Sequence, residues 1–378
     1  MHDRQTENER LGDLAVVDTL EQSARRGARK IVVLGMFDLS RLDGARPIRI
    51  HNLHTTLKAH APTTLLSGNR MPRRLAVIRY VLQGGLRQTR AVYVEASTST
   101  ATEIDLLFLV LAAVFGVPMV VYIPDAYQLF PELFPRVGWR VKLLDWGWRL
   151  SIAAYQRLAD LLLFPSSGLA TCFRNRRRID LLPPAGQPGR EWTPPPGQPP
   201  VVVYTGGASF ADGSDLLLTA MERVVDRYPD ARCYFISVNN EFIEGHPVRH
   251  AGWLTVESRT AEELPALMRS ATLVVIPRRI NSYNDLAMPV KLFDYMSFGR
   301  PLVVTACRDM AAFVNEVEAG LVVKDTAEEL AQGILRLIDD PDLAARLGRN
   351  GYRAIQTNHS WSQRAKRLVQ MIEEIEGA

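Results

Sequence analysis

The segment Ile276–Thr305, IPRRINSYNDLAMPVKLFDYMSFGRPLVVT, concentrates the residues best suited to chemistry. Arg278 and Arg279 follow directly on the apolar run LVVIP, at the expected carboxyl end of a buried strand. Pro289 stands where a first helical turn would begin, a place its fixed φ favours. The helix VKLFDYMSF should end at Gly299, and Pro301 should open the next strand. Lys291 falls in the first turn of that helix, where a cation opposes the helix dipole at a cost of a few tenths of a kcal/mol. It is either a lysine pointing into solvent or a group that, with the helix's free N–H groups and the two arginines, converges on an anion. Two arginines at a strand end facing a lysine at a helix start suit a diphosphate. Asp294, three residues further on, is either an ion-pair partner of Lys291, worth a fraction of a kcal/mol, or an acceptor for two sugar hydroxyls such as those of a ribose.

Short apolar runs recur along the chain: Arg29–Leu34, Ala91–Val94, Pro118–Ile123, Asp160–Phe164, Pro200–Tyr204, Cys233–Val238, Thr272–Pro277, Pro301–Thr305 and Leu321–Val323. Segments of helical periodicity, such as TAEELPALMRSA and AEELAQGILRLI, lie between most of them. Strands alternating with helices predict an α/β protein with parallel sheets covered on both faces. The proline-dense stretch Pro183–Pro200 blocks both helix and central strand and reads as a semi-rigid linker. The expected organisation is a polar leader over 1–28, a Rossmann-like domain over 29–188, a linker over 189–200, a second Rossmann-like domain over 201–358, and a final helix over 359–378. Ligands of doubly wound sheets bind outside the carboxyl ends of the strands.

Composition narrows the function further. Hydrophobic residues make up 47% of the 378, which excludes wholesale disorder, and a formal charge of +4 is too small to indicate nucleic-acid binding. The cysteines Cys172, Cys233 and Cys307 lack metal-ligand spacing and read as buried thiols of a reducing compartment. No metal site is expected. The run Leu106–Ile123 is long enough to span a membrane, but Gly116-Val117-Pro118 divides it into a helix and a buried strand. No G-x-G-x-x-G opens either half, which argues against a dinucleotide dehydrogenase.

The stretch MPVKLFDYMSFGRPLVVT resembles the donor-binding segment of GT4-type glycosyltransferases, P-x-K-x-x-E-Y-x-A-x-G-x-P-V-V, and the similarity runs from about Ala271 to Glu376, through Ser360-Trp361. The resemblance implies the GT-B fold, two doubly wound domains facing a central cleft, and transfer of a sugar from a nucleoside-diphosphate donor, itself the substrate and with no separate cofactor. It implies a ribose contact for Asp294 and diphosphate contacts for Lys291, Arg278 and Arg279. Gly206-Gly207 matches the glycine-rich loop near the phosphates, and Arg249–Thr255, with Trp253 and Leu254, resembles the segment lining the base. Three departures stand out. Leu286, beside Asp285, replaces the earlier glutamate of the family's pair; the later one is shortened to Asp294; and Ala208 and Asp212 stand near the places of the usual Arg and Lys.

On the acceptor side, Gly44-Ala45-Arg46 occupies the place of a second glycine loop. Glu95 and Asp125 each follow an apolar run at a strand's carboxyl end. Each is either a group that orients an acceptor hydroxyl or takes its proton, or a helix cap or salt-bridge partner. The acceptor would be a glycan, a lipid-linked molecule or a small molecule. Arg136–Arg149, with Trp139, Trp146 and Trp148 among basic residues, either packs through its tryptophans or lies on an anionic membrane. The expected place is the cytoplasm, with the inner membrane face as a contact. A sugar-nucleotide epimerase of the same fold and a non-catalytic homologue are the alternatives.

Overall fold

Runs of β-branched and leucine residues, buried on both faces, form two parallel sheets. The computed structural model describes residues 29–39, 45–96, 100–135, 138–173, 178–187, 192–260 and 262–377; the leader expected over 1–28 lies outside them. The chain divides into two units, one comprising Met1–Pro183 with Trp361–Ala378 and the other Pro184–Ser360.

The first unit carries strands β1 (Lys30–Gly35), β2 (Thr63–Ser67), β3 (Thr89–Glu95), β4 (Met119–Tyr122), β5 (Leu161–Phe164) and β6 (Arg178–Leu181) in the order β2-β1-β3-β4-β5-β6. Helices α1 (Ala45–Leu57), α2 (Arg70–Leu82), α3 (Glu103–Val114), α4 (Trp139–Leu158) and the short α5 (Ser167–Thr171) connect them. The strand order reverses between β1 and β3. Right-handed crossovers therefore place α1 on one face and α2, α3 and α4 on the other. The suspected membrane run is indeed a helix and a strand: α3 is capped by Thr102 in a capping box, and Gly116 at φ +66° follows it before β4. Among the described residues no helix is long and apolar enough to cross a membrane.

The second unit carries β7 (Val201–Thr205), β8 (Arg232–Ile236), β9 (Leu254–Glu257), β10 (Leu273–Ile276), β11 (Leu302–Thr305) and β12 (Gly320–Val323) in the order β12-β11-β10-β7-β8-β9. Its helices are α6 (Ser214–Arg227), α7 (Glu241–Glu244), α8 (Leu264–Ser270), α9 (Val290–Ser297), α10 (Arg308–Val317), α11 (Ala327–Asp339) and α12 (Pro341–Thr357). Alternate strand residues face opposite ways. Val202 and Tyr204 join a core with Leu217, Met221 and Ile334, while Val203 joins one with Phe293, Met296 and Val314. The last helix, α13 (Trp361–Glu376), packs on α1 within the first unit.

Two expectations need correction. The stretch read as a semi-rigid linker, 189–200, falls within the second unit, and its described part is docked on that unit. Arg300, 1% exposed, donates to the carbonyls of Thr193 (2.9 Å), Ala271 (3.2 Å) and Phe298 (3.0 Å), and Arg349 stacks on the Trp192 ring at 4.3 Å. Prolines remove N–H donors, so this segment presents carbonyls, and a buried guanidinium is the group that satisfies several at once. Of the thiols, Cys233 and Cys307 are buried, but Cys172 is only half-buried.

Candidate functional site

In the second unit the chain runs β7, β8, β9 in one direction and then returns to lay β10 on the other side of β7. The carboxyl ends of β7 and β10 thus flank the topological switch point, where open α/β sheets bind ligands. Gly206 follows β7 and Arg278 follows β10, so the two segments picked out by residue type do meet there. Gly213, at φ +72°, lies so close to the Pro277 carbonyl that no side chain fits between them, and Arg279 N donates to Ala211 O at 3.2 Å. Thr305 Oγ1 holds the Arg278 carbonyl, and Asn284 Nδ2 holds that of Arg279 at 2.8 Å. Backbone and side-chain contacts therefore fix Arg278-Arg279 against the Ala211–Gly213 stretch, and Gly206 N donates to the Ile236 carbonyl at 2.9 Å.

Lys291 reaches across to the turn at Gly206. Its Nζ donates to Tyr204 Oη at 3.2 Å and sits 4.3 Å from the centre of that ring, while Tyr204 Oη donates to the Gly207 carbonyl at 2.7 Å. Burial, and secondarily the Arg278 guanidinium, push the ammonium down to about 7, with Asp212 opposing. No side chain caps the amino end of α9. Lys291, Arg278 and the α9 amino end form an electropositive site whose lysine is short of counter-charge, an arrangement that favours an anion.

The two arginines are not equivalent. Arg279 is bound to Asp215 and stacks on Phe210, its guanidinium carbon 4.0 Å from the ring centre. Among the described residues the one carboxylate paired with Arg278 is Asp212, at 3.9 Å, too long for a hydrogen bond. Asp212 is itself held by Ser209 Oγ at 2.7 Å. Sequence reasoning missed Tyr204 and Asp215, and named Asp212 only as a departure from the family's pattern. Tyr204 was legible only as a strand residue, and the aspartates only as loop and helix-start residues.

Asp294 shares the partly open face of α9 with Lys291, but of its two readings the ion pair is absent: among the described residues Asp294 has no hydrogen-bond or ion-pair partner. Burial pushes its carboxyl up to about 7. A half-buried acid without a partner is poised to take hydroxyl donors from a ligand.

Trp253 and Leu254 lie elsewhere. The register aligns Leu254 with Cys233 and Val202, near the amino ends of the strands, and Glu257 with Ile236 and Thr205 at the carboxyl ends. Three residue steps, about 10 Å, separate Leu254 from the site's edge, and Trp253 packs against the core instead. The strand passes through this segment, so its exit, Glu257 with Arg259 bound to it at 2.6 Å, stands where Trp253 was expected.

In the first unit, Glu95 ends β3 at the switch point beside β1 but is 0% exposed. It accepts from Arg49 Nε at 2.8 Å and from Tyr93 Oη at 2.6 Å. With both oxygens engaged it anchors Arg49, and the geometry does not support a proton-transfer role. Asp125 is paired with Arg46 through Oδ2, while buried Oδ1 has no hydrogen-bond partner among the described residues. Burial raises its carboxyl above the usual range, against the pull of Arg46. Of the second glycine loop, Gly44 lies outside the described residues. Trp148 packs inside as expected, whereas Trp139 and Trp146 are exposed; Arg136 and Val137 lie outside the described residues.

Residues 199–340 match the family described as glycosyl transferases group 1. Alpha-D-kanosaminyltransferase of Streptomyces kanamyceticus is 24% identical over 184 residues, 47% of this chain and 46% of that protein. The chain thus spans about half the length of the curated relatives it matches. Sucrose-phosphate synthase from Thermosynechococcus elongatus has a similar structure, with a TM-score of 0.69, 16% identity, and coverage of 92% of this chain and all of that one. HepE of Anabaena, solved in complex with UDP-glucose, gives a TM-score of 0.63 at 15% identity, covering 91% of this chain and 99% of the other. The fold is GT-B, and the match to the group 1 glycosyl transferases is confined to residues 199–340, in the second unit.

Proposed function

We propose that the protein transfers a sugar from a nucleoside-diphosphate donor to a glycan, lipid-linked or small-molecule acceptor, with retention at the anomeric carbon. The observation that carries this reading is the convergence, at the switch point of the second unit, of Lys291, Arg278 and the Gly206 turn, with Asp294 beside them on α9. Lys291 and Arg278 bind the diphosphate and stabilise the charge that grows on it as the bond from the anomeric carbon to the phosphate oxygen breaks. Asp294 accepts hydrogen bonds from the ribose. The acceptor oxygen bonds to the anomeric carbon and passes its proton to the departing diphosphate, which carries it away. Retention without a protein nucleophile, the chemistry implied by the family resemblance, agrees with a Glu95 that is shut inside the first unit. Asp125, with its free oxygen, is the acceptor contact we assign. UDP-glucose bound to HepE supports a sugar nucleotide as donor class.

The test is a screen of nucleoside-diphosphate sugars, with and without acceptor extracts, read as released nucleoside diphosphate and as labelled sugar joined to acceptor. Acceptor-dependent release with a retained anomer is expected. Release or rearrangement without acceptor would favour an epimerase, and binding without turnover a non-catalytic homologue.

A further inference from the structure

We propose that the outer side of α2, α3 and α4 is a docking surface for an anionic lipid bilayer. The three helices are consecutive, lie on one face of the first sheet and pack on one another in order. Each should turn polar residues to water, yet each exposes an apolar stripe at the same helical spacing. On α2 the stripe is Met71, Leu75, Ile78 and Leu82, with Leu75 at 63% and Leu82 at 81% exposed. On α3 it is Leu107, Val110 and Val114. On α4 it is Trp139, Leu143, Trp146 and Leu150, with Trp139 at 71% and Trp146 at 60% exposed. Residues at i, i+4, i+7 and i+11 share one face. Each helix thus has a second apolar face besides the one that Val77, Phe108 and Ile152 turn inward.

The charge around these stripes decides the occupant. The three helices carry eight basic and three acidic residues. Two of the acids are already taken up, Asp105 by Arg73 at 2.8 Å and Glu103 by Arg74 at 2.6 Å. The remaining cations, Arg70 and Arg79 on α2 and Arg140, Lys142, Arg149 and Arg157 on α4, flank the apolar band on both sides. Apolar stripes bordered by cations, with tryptophans at the boundary, match acyl chains beneath anionic headgroups. No described helix is long and apolar enough to cross a membrane, so the contact is peripheral. This inference stands apart from the transfer reaction, since none of these residues belongs to the candidate site.

The experiment is co-sedimentation of the full chain with phosphatidylcholine vesicles, with and without phosphatidylglycerol. The protein should partition to the phosphatidylglycerol vesicles, with a blue shift in tryptophan emission that Trp139→Phe/Trp146→Phe removes. Leu75→Asp/Leu143→Asp, both exposed positions, should abolish partition while leaving circular dichroism and Tm unchanged. Arg140→Gln/Lys142→Gln should lower it roughly 30-fold, each contact being worth about fivefold. Failure of the unaltered chain to bind phosphatidylglycerol vesicles, equal binding to neutral ones, or binding indifferent to Leu75→Asp/Leu143→Asp would overturn the proposal. So would a solution dimer that Leu75→Asp/Leu143→Asp dissolves, which would make a second copy the occupant.

Discussion

The Nζ of Lys291 occupies the space that a Cβ on residue 206 would need, and its Cε lies only 3.0 Å from that point. Gly206 also holds φ at +136°, which L side chains rarely adopt. Glycine here is what lets a lysine from α9 lie over the end of β7. Gly206→Ala should lower unfolding stability by about 1–3 kcal/mol through backbone strain, and should weaken nucleoside-diphosphate binding by displacing Lys291. Urea unfolding and calorimetry check both. Gly207→Ala, whose Cβ would meet only Asp212 Oδ2 at 3.1 Å, should be milder on each count.

Removal of the cations should rank them. Lys291→Ala should weaken nucleoside-diphosphate binding by about 1.5–3 kcal/mol, as for a charge-assisted hydrogen bond. Arg278→Ala should also cost affinity, whereas Arg279→Ala should cost mostly stability, because Arg279 is committed to Asp215 and Phe210. Titration calorimetry on folded variants measures the order; equal losses for the two arginines would place both on the ligand.

Protonation should be linked to binding. Lys291 is pushed down, and Asp294 pushed up, to about 7. At pH 8 the unliganded lysine is largely neutral, so a bound diphosphate should draw a proton onto it. At pH 6 Asp294 is largely protonated and should release a proton when it accepts ribose hydroxyls. Calorimetry in buffers of different ionisation heat should show net uptake at pH 8 and net release at pH 6, with the release lost in Asp294→Asn. Stability follows the same signs. Asp294 favours the folded state less as pH rises from its unfolded value towards 7, and Lys291 favours it more as pH rises from 7 towards its unfolded value. Their joint contribution is therefore smallest near pH 7.

Arg300 should prove a fastener. Its guanidinium donates to carbonyls and to the Thr193 hydroxyl, and burial lowers it to about 10. Arg300→Leu leaves those buried carbonyls without a donor and should cost about 3 kcal/mol. Limited proteolysis should then cut within 192–200 in the variant and spare that stretch in the unaltered protein.

The alternation of strand and helix was legible because central strands are apolar throughout. The three strands that composition did not reveal, β2, β6 and β9, are all edge strands, half open to water and therefore mixed in sequence. Missing β9 is what misplaced Trp253 and Leu254, since a residue's end of a strand cannot be read before the strand is seen. At the candidate site, Lys291, Arg278 and Gly206 could be found by type and spacing. The Asp215 partner of Arg279 and the Arg49 partner of Glu95 could not, because sequence distance hides both pairings.

The first unit is interrupted in sequence by the second. Residues 361–377 return to it: His60 meets Ser362 at 3.2 Å, Arg90 meets Glu376 at 2.7 Å, and Arg367 meets Asp180 at 3.0 Å. During synthesis the uninterrupted second unit has all its strands before the first has its final helix. The contacts between α1 and α13 close one of the longest loops in the chain, a slow kind of contact to form. Until then α1 waits with an apolar face uncovered. That makes the unfinished first unit, rather than the second, the part of the nascent chain that exposes apolar surface longest.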